Sequence, residues 1–165
     1  MFRAPTRTLG FVLLAFCLSS CGHQQAQSPQ VAVKPPVVKP ANPNDIKAWN
    51  AYLADAPRPQ LEGIVNNPYK FLVPSGDDPA ARDRRKMVEG ALTSMASSNS
   101  FPGTVITVGG PDPVKTADVL VAAFGKARPD SLKALILVYI GDEANRARVQ
   151  KVVAASGAEL RFTGM

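Results

Sequence analysis

The sequence predicts an α/β fold, a small domain with a C-terminal β-α-β-α-β unit preceded by a signal peptide and a Pro-rich linker. Two strand-length runs carry that expectation. Thr104-Val105-Ile106-Thr107-Val108 is β-branched throughout, and Ala134-Leu135-Ile136-Leu137-Val138-Tyr139-Ile140 is apolar without interruption, as expected for a parallel strand covered on both faces. The punctuation between them is the third observation: Gly109-Gly110-Pro111 turns the first run into Asp112-Pro113, an N-cap followed by proline at the first helical position.

From the N-terminus, Arg3 and Arg7 precede an apolar core, Phe11 to Leu18, that is too short to span a bilayer, and the small residues Ser19 and Ser20 stand where a signal peptidase cuts. Leu18-Ser19-Ser20-Cys21 resembles the lipobox of bacterial lipoproteins. That resemblance implies loss of residues 1–20, a diacylglyceryl group on the Cys21 thiol, and acylation of the new amine, for instance by palmitate. Each buried methylene contributes about 0.8 kcal/mol and a single chain holds only marginally, so two or three chains fix the protein to membrane lipid through Cys21. Gly22, where an aspartate would signal retention, is similar to lipoproteins sorted to the outer membrane. The expected location is its periplasmic face.

Residues 21–43 form a lipidated, Gln/Pro-rich flexible linker and residues 44–165 a single α/β domain. Pro35, Pro36, Pro40 and Pro43 remove backbone donors and hold their neighbours extended. A polyproline-like leash at about 3.1 Å per residue reaches roughly 60 Å from the membrane. It serves as a spacer, or its valines dock on a partner.

Asn44 or Asp45 caps a short helix in which Ile46, Trp49 and Leu53 recur at i, i+3 and i+7, before Pro57 and Pro59 end it. Trp49 and Tyr52 are either core residues or candidate partner-binding residues. Leu61 to Val65 is ambiguous. Asn66-Asn67-Pro68 turns into a short strand, Tyr69 to Val73, stopped by Pro74. Asp78-Pro79 opens a helix whose apolar face is read as Met87, Val88, Ala91, Leu92 and Met95, with Arg82, Arg84, Arg85 and Lys86 as a basic cluster opposing the dipole. The next helix presents Val114, Ala117, Leu120, Val121 and Phe124. Asp142 caps the last one, with Val149, Val152 and Val153 inward, Gly157 at its C-terminus, and a final strand over Ala158 to Thr163. Residues 104–163 are therefore expected to form a three-stranded sheet. Ile136 and Val138 are expected among its least exposed residues.

Composition narrows the chemistry. Of 19 basic and 13 acidic residues, Arg3 and Arg7 leave with the signal, and the mildly basic remainder has no aromatic and basic interleaving of a nucleic-acid module. No nucleic-acid partner is expected. Cys17 also leaves and Cys21 carries lipid, while the one histidine, His23, lies beside the anchor. Disulfides, thiolate metal sites, a Ser-His-Asp triad and a histidine zinc site are excluded on those counts. Gly109-Gly110 matches neither phosphate-loop pattern, and Pro111 and Pro113 lack amide donors. No catalytic set, metal or cofactor is expected, and the chain reads as a non-enzyme.

Asp142, Asn145 and Arg146 faintly resemble the peptidoglycan-binding module of outer-membrane proteins, in which an Asp and an Arg clamp a diaminopimelate, although the Thr-Asp-x-x-Gly signature is absent. A broader resemblance spans most of the mature chain. The lipobox, the Pro-rich leash, Asn67-Pro68-Tyr69-Lys70-Phe71, Val105 to Gly110, Val138-Tyr139-Ile140-Gly141 and Gly157-Ala158-Glu159-Leu160-Arg161-Phe162 together resemble the Cag pathogenicity island lipoprotein family, VirB-type small lipoproteins of type IV secretion systems. The resemblance implies a lipid-anchored structural or assembly subunit of an outer-membrane secretion core, with cell-envelope secretion subunits as partners. Cys21 is the one functional residue it transfers. The alternative is a peptidoglycan-binding outer-membrane lipoprotein.

Overall fold

The computed structural model describes residues 37–97 and 103–165; the expected signal peptide, Cys21, His23 and the expected linker as far as residue 36 lie outside the described residues. Helix α1 spans Ile46–Asp55, and a 3₁₀ turn follows at Arg58–Leu61. Then β1 (Tyr69–Leu72), α2 (Pro79–Ser97), β2 (Val105–Gly109), α3 (Pro113–Phe124), β3 (Ile136–Gly141), α4 (Glu143–Ala155) and β4 (Glu159–Gly164) alternate to the C-terminus.

The sheet has four strands rather than three. The order is β1-β2-β3-β4, every pair is parallel, and the strand beginning at Tyr69 joins as an edge, with Tyr69 opposite Ile106 and Leu72 opposite Gly109. A four-residue strand whose Tyr69 is half exposed and whose Lys70 is exposed suits an edge, where one face and one ladder meet solvent. Its alternation alone could not say which strand it would pair with.

Each strand leads into a helix capped by an aspartate. Asp78 accepts from the Ala81 amide at 3.0 Å, Asp112 from the Val114 and Lys115 amides at 3.0 Å each, and Asp142 from the Asn145 amide at 3.1 Å. These carboxylates satisfy amides that a helix start leaves without intrahelical partners. Asp45 does the same for α1 through Ala48 at 2.9 Å.

Helices α2, α3 and α4 pack side by side on one face of the sheet, as right-handed crossovers between successive neighbouring strands require. Leu92, Leu120, Phe124, Val149 and Val153 meet Ile106, Val108, Leu137 and Tyr139 there. The opposite face is covered by α1, where Trp49, Tyr52 and Leu53 pack with Ile140. Leu137 and Tyr139 thus point one way and Ile140 the other, which is why β3 is apolar at successive positions. Val138 is fully buried as expected, but Ile136 is only half-buried: it opens the strand, beside Glu159, at the end that α1 does not reach.

Two helix faces also differ from the pattern reading. In α2 the buried line is Ala81, Leu92 and Ala96, with Val88 partly buried, and Met87 and Ala91 are exposed. Val88, Leu92 and Met95 pack against the core as expected, and Arg85 lies on the same side, donating to the Pro74 and Gly76 carbonyls. In α3, Val114 is half exposed, while Thr116 and Val119 are buried instead.

Gly109-Gly110 is a packing device. A β-carbon on Gly110 would overlap the Val73 carbonyl oxygen, and one on Gly109 would lie 2.7 Å from a Leu53 methyl. The β1 and β2 ends can therefore close together and admit α1 above them. Gly110→Ala should lower stability by about 1–3 kcal/mol, as overpacking does. An unchanged urea midpoint would show that the backbone there can open freely.

Candidate functional site

A parallel sheet in the order 1-2-3-4 never reverses direction, so it has no topological switch point of the kind that opens a ligand crevice between diverging helices. Its helix N-termini are also engaged. Asp78, Asp112 and Asp142 set a negative charge where an anionic ligand would otherwise meet free amides, and Pro79 and Pro113 contribute no amide donor. The backbone amide of Ala81 holds the Asp78 carboxyl below the usual carboxylate range. Phosphate capture at this edge would have to displace three internal caps.

What the strand-exit edge does offer is an apolar groove of about 560 Å³ between the N-terminal parts of α1 and α2. Ile46 from α1, Leu72 from β1, and Met87 and Val88 from α2 line it, with Arg84 and the Asp78 carboxylate as its charged lining. Ile46 is 51 % exposed and Met87 73 %, so two of the large hydrophobic side chains left in solvent converge on one concavity. Met87 adds an unbranched, polarizable side chain that adapts to different contacts.

The loop that forms the groove floor is held from outside. Arg85 donates to the Pro74 carbonyl at 3.0 Å and to that of Gly76, while Lys115 from α3 donates to the Asp77 carboxylate at 2.6 Å. The Lys115 hydrogen bond, reinforced by its charge and those of Arg85 and Arg82, keeps Asp77 below the ordinary carboxylate range. Arg82 also donates to the Asp77 carbonyl at 2.6 Å. Arg82 and Arg85, two of the four basic residues at the start of α2, therefore clamp this loop, which offsets their unfavourable position on the helix dipole. Arg84 and Lys86 make no ion pair or hydrogen bond with any described residue, and of the two Arg84 lines the groove.

The two candidate partner-binding aromatics are not in the groove. Trp49 and Tyr52 are 1 % and 5 % exposed, stacked edge to face at 5.6 Å, and the Trp49 indole donates to the Asn42 carbonyl at 3.0 Å. Burial raises the Tyr52 pKa. Both rings bind α1 to the sheet, so neither offers a face to another protein while that helix is docked.

Asp142, the N-cap of α4, and Arg146, one turn further on, have separate internal partners. Asp142 accepts from both the backbone and the side-chain amide of Asn145, and Arg146 lies 5.2 Å over the Phe162 ring and 3.3 Å from Glu143. Asn145 in turn accepts from Arg148, which reaches Asp118 on α3 at 2.6 Å and ties the two helices together. Tyr139, buried beneath, has its pKa pushed up to about 12 by desolvation and then by Asp142, so it stays a neutral donor toward the Pro113 carbonyl.

The groove residues were legible only in part. Sequence periodicity assigns Ile46 and Met87 to buried stripes, yet Met87 stands one position off the line Ala81, Val88, Leu92, and small alanines at 81 and 96 mark the true contact face. Among the described residues no group of three or more His, Cys, Asp or Glu side chains is placed to hold a metal, and no helix is long and apolar enough to cross a membrane. No family model matches the chain, and the searches of curated proteins and of solved structures likewise give no match.

Proposed function

We propose that this chain is a lipid-anchored structural or assembly subunit of a bacterial cell-envelope complex, the outer-membrane core of a type IV secretion system. The observation that carries this reading is the groove: a largely apolar concavity lined at its edge by Arg84 and Asp78, on a domain whose helix starts are already capped by its own carboxylates. Such a surface suits a protein segment better than a phosphorylated metabolite. A lipobox and an extended leash would hold that surface at the membrane while letting it reach secretion subunits in the periplasm. The chain would act by binding, without catalysis or cofactor.

Cys21→Ala is expected to leave the precursor uncleaved and unable to incorporate labelled palmitate. A Cys21→Ala protein that is still cleaved to a mature form would remove the anchor from this reading. For the function itself, the tagged protein should be extracted in detergent and purified by affinity. Recovery in a megadalton ring with secretion-channel subunits is the expected result. Recovery as a monomer that sediments with sacculi, and loses that binding in Asp142→Ala, would move the assignment to peptidoglycan.

A further inference from the structure

The sheet has an outer strand on each side, β1 and β4, and only one of these edges is guarded. In β1 the Val73 amide bonds to the Gly109 carbonyl, so alternate residues face β2 and the groups left pointing outward are those of Lys70 and Leu72. That edge is four residues long, is bracketed by Pro68 and Pro74, and carries an exposed lysine, all of which keep a further strand away. In β4 the Glu159 amide bonds to the Leu135 carbonyl and the Met165 amide to the Gly141 carbonyl, which turns the amides and carbonyls of Leu160, Phe162 and Gly164 outward. No hydrogen bond among the described residues engages those outward groups. β4 is six residues long and contains neither proline nor lysine. Its one cation, Arg161, is held by Glu159 at 2.7 Å and by the Gln60 carbonyl instead of projecting across the edge.

We propose that β4 pairs antiparallel with β4 of a second copy, about a two-fold axis at Phe162, and joins the two sheets into one. In this register Phe162 faces Phe162 of the copy and Leu160 faces its Gly164, reciprocally, and each facing pair exchanges both of its backbone hydrogen bonds, so every outward group of the strand is used. Arg161 then stands opposite Thr163. Moving the axis one residue, to Arg161, would set two guanidiniums directly opposite and leave Gly164 without a strand residue to pair with. The strand is complementary to itself in charge and in hydrogen bonding, and this selects a second copy as its partner. Side chains agree with the backbone. Leu160 and Phe162, half-buried against the helix-side core, gain cover from their counterparts across the axis. Arg146, 5.2 Å over the Phe162 ring, comes to the axis with its own carboxylate, Glu143, at 3.3 Å, so the two guanidiniums that meet there arrive neutralised. The contact uses the same patch on both copies and closes at the dimer. It goes beyond the assembly role proposed above and does not depend on it.

The full-length chain, expressed on its own and extracted in detergent, should have the mass of a dimer by light scattering. Gly164→Pro removes one outward amide. Gly164 is exposed, and a β-carbon there would meet only a Phe162 ring carbon at 3.9 Å, so the intrachain ladder has room for the change. Gly164→Pro should raise the dimer dissociation constant about tenfold or more with the far-UV circular dichroism of the parent, whereas Gly164→Ala, which keeps the amide, should leave the dimer as it is. Register is read with a short bis-maleimide. Phe162→Cys should link to itself, and Glu159→Cys should not, because its counterpart lies a strand's length, roughly 20 Å, away; the parent run alongside reports any linking through its own cysteines. A monomeric parent, a Gly164→Pro chain that dimerises like the parent, loss of the dimer in Gly164→Ala, or Glu159→Cys linking as readily as Phe162→Cys would each overturn the proposal. So would linking of Phe162→Cys to a different protein.

Discussion

Leu137→Asp is expected to abolish cooperative folding of the domain. Leu137 is fully buried in the middle of β3, opposite Ile106 on one neighbouring strand and Leu160 on the other, in the core shared with α2, α3 and α4. A carboxylate there has no cation to pair with and no water to solvate it, a penalty of several kcal/mol even after protonation. Domains of this size are held by only about 5–15 kcal/mol. The neighbouring positions are informative controls. Val138 is equally buried but stands beside Arg161 in register, so Val138→Asp acquires a partner and should be less damaging; Ile136→Asp, half-buried, should still fold. Far-UV circular dichroism on heating measures all three. A cooperative melt for Leu137→Asp close to the parent's would mean that this face of β3 is not the core.

Trp49→Ala should cost about 3–5 kcal/mol, the usual range for removing a large aromatic from a packed interior. The indole fills the contact between α1 and Ile140, meets Tyr52 edge-on, and supplies the donor for the Asn42 carbonyl. Its removal would loosen α1 and expose the upper part of the second sheet face. Because the groove has α1 as one wall, Ile46 would be displaced as well. Urea unfolding followed by circular dichroism reads the stability loss, and the fluorescence of Trp49, the single tryptophan, reads α1 undocking in the parent. If Trp49→Ala left stability untouched and weakened only assembly, the indole would be a partner contact after all.

Local chemistry made much of this fold legible in advance. Asp78-Pro79 and Asp112-Pro113 announce helix starts because a carboxylate satisfies free amides and proline sacrifices none that the helix needs. The unbroken apolar run through β3 announces a strand with both faces covered, and Gly157, at φ 84°, ends α4 in a conformation that glycine adopts without strain. The lipobox expectation rests on local order too, of charge, apolar length and small residues before Cys21, and lies outside the described residues.

Tertiary packing decided the rest, because exposure and partner choice depend on groups far away in sequence. Tyr69–Leu72 became the fourth strand through its register with β2, some 37 residues on, a pairing that its own alternation leaves open. Met87 faces solvent while Arg85, on the core side of α2, donates to carbonyls of the preceding loop, and Trp49 is buried where Gly109, lacking a β-carbon, lets Leu53 and the rest of α1 settle onto the sheet. Ile46 and Met87 are unremarkable apolar letters in two separate helices. They become a groove only when α1 and α2, on opposite faces, meet over the strand exits, where Arg84 and Asp78 join the lining.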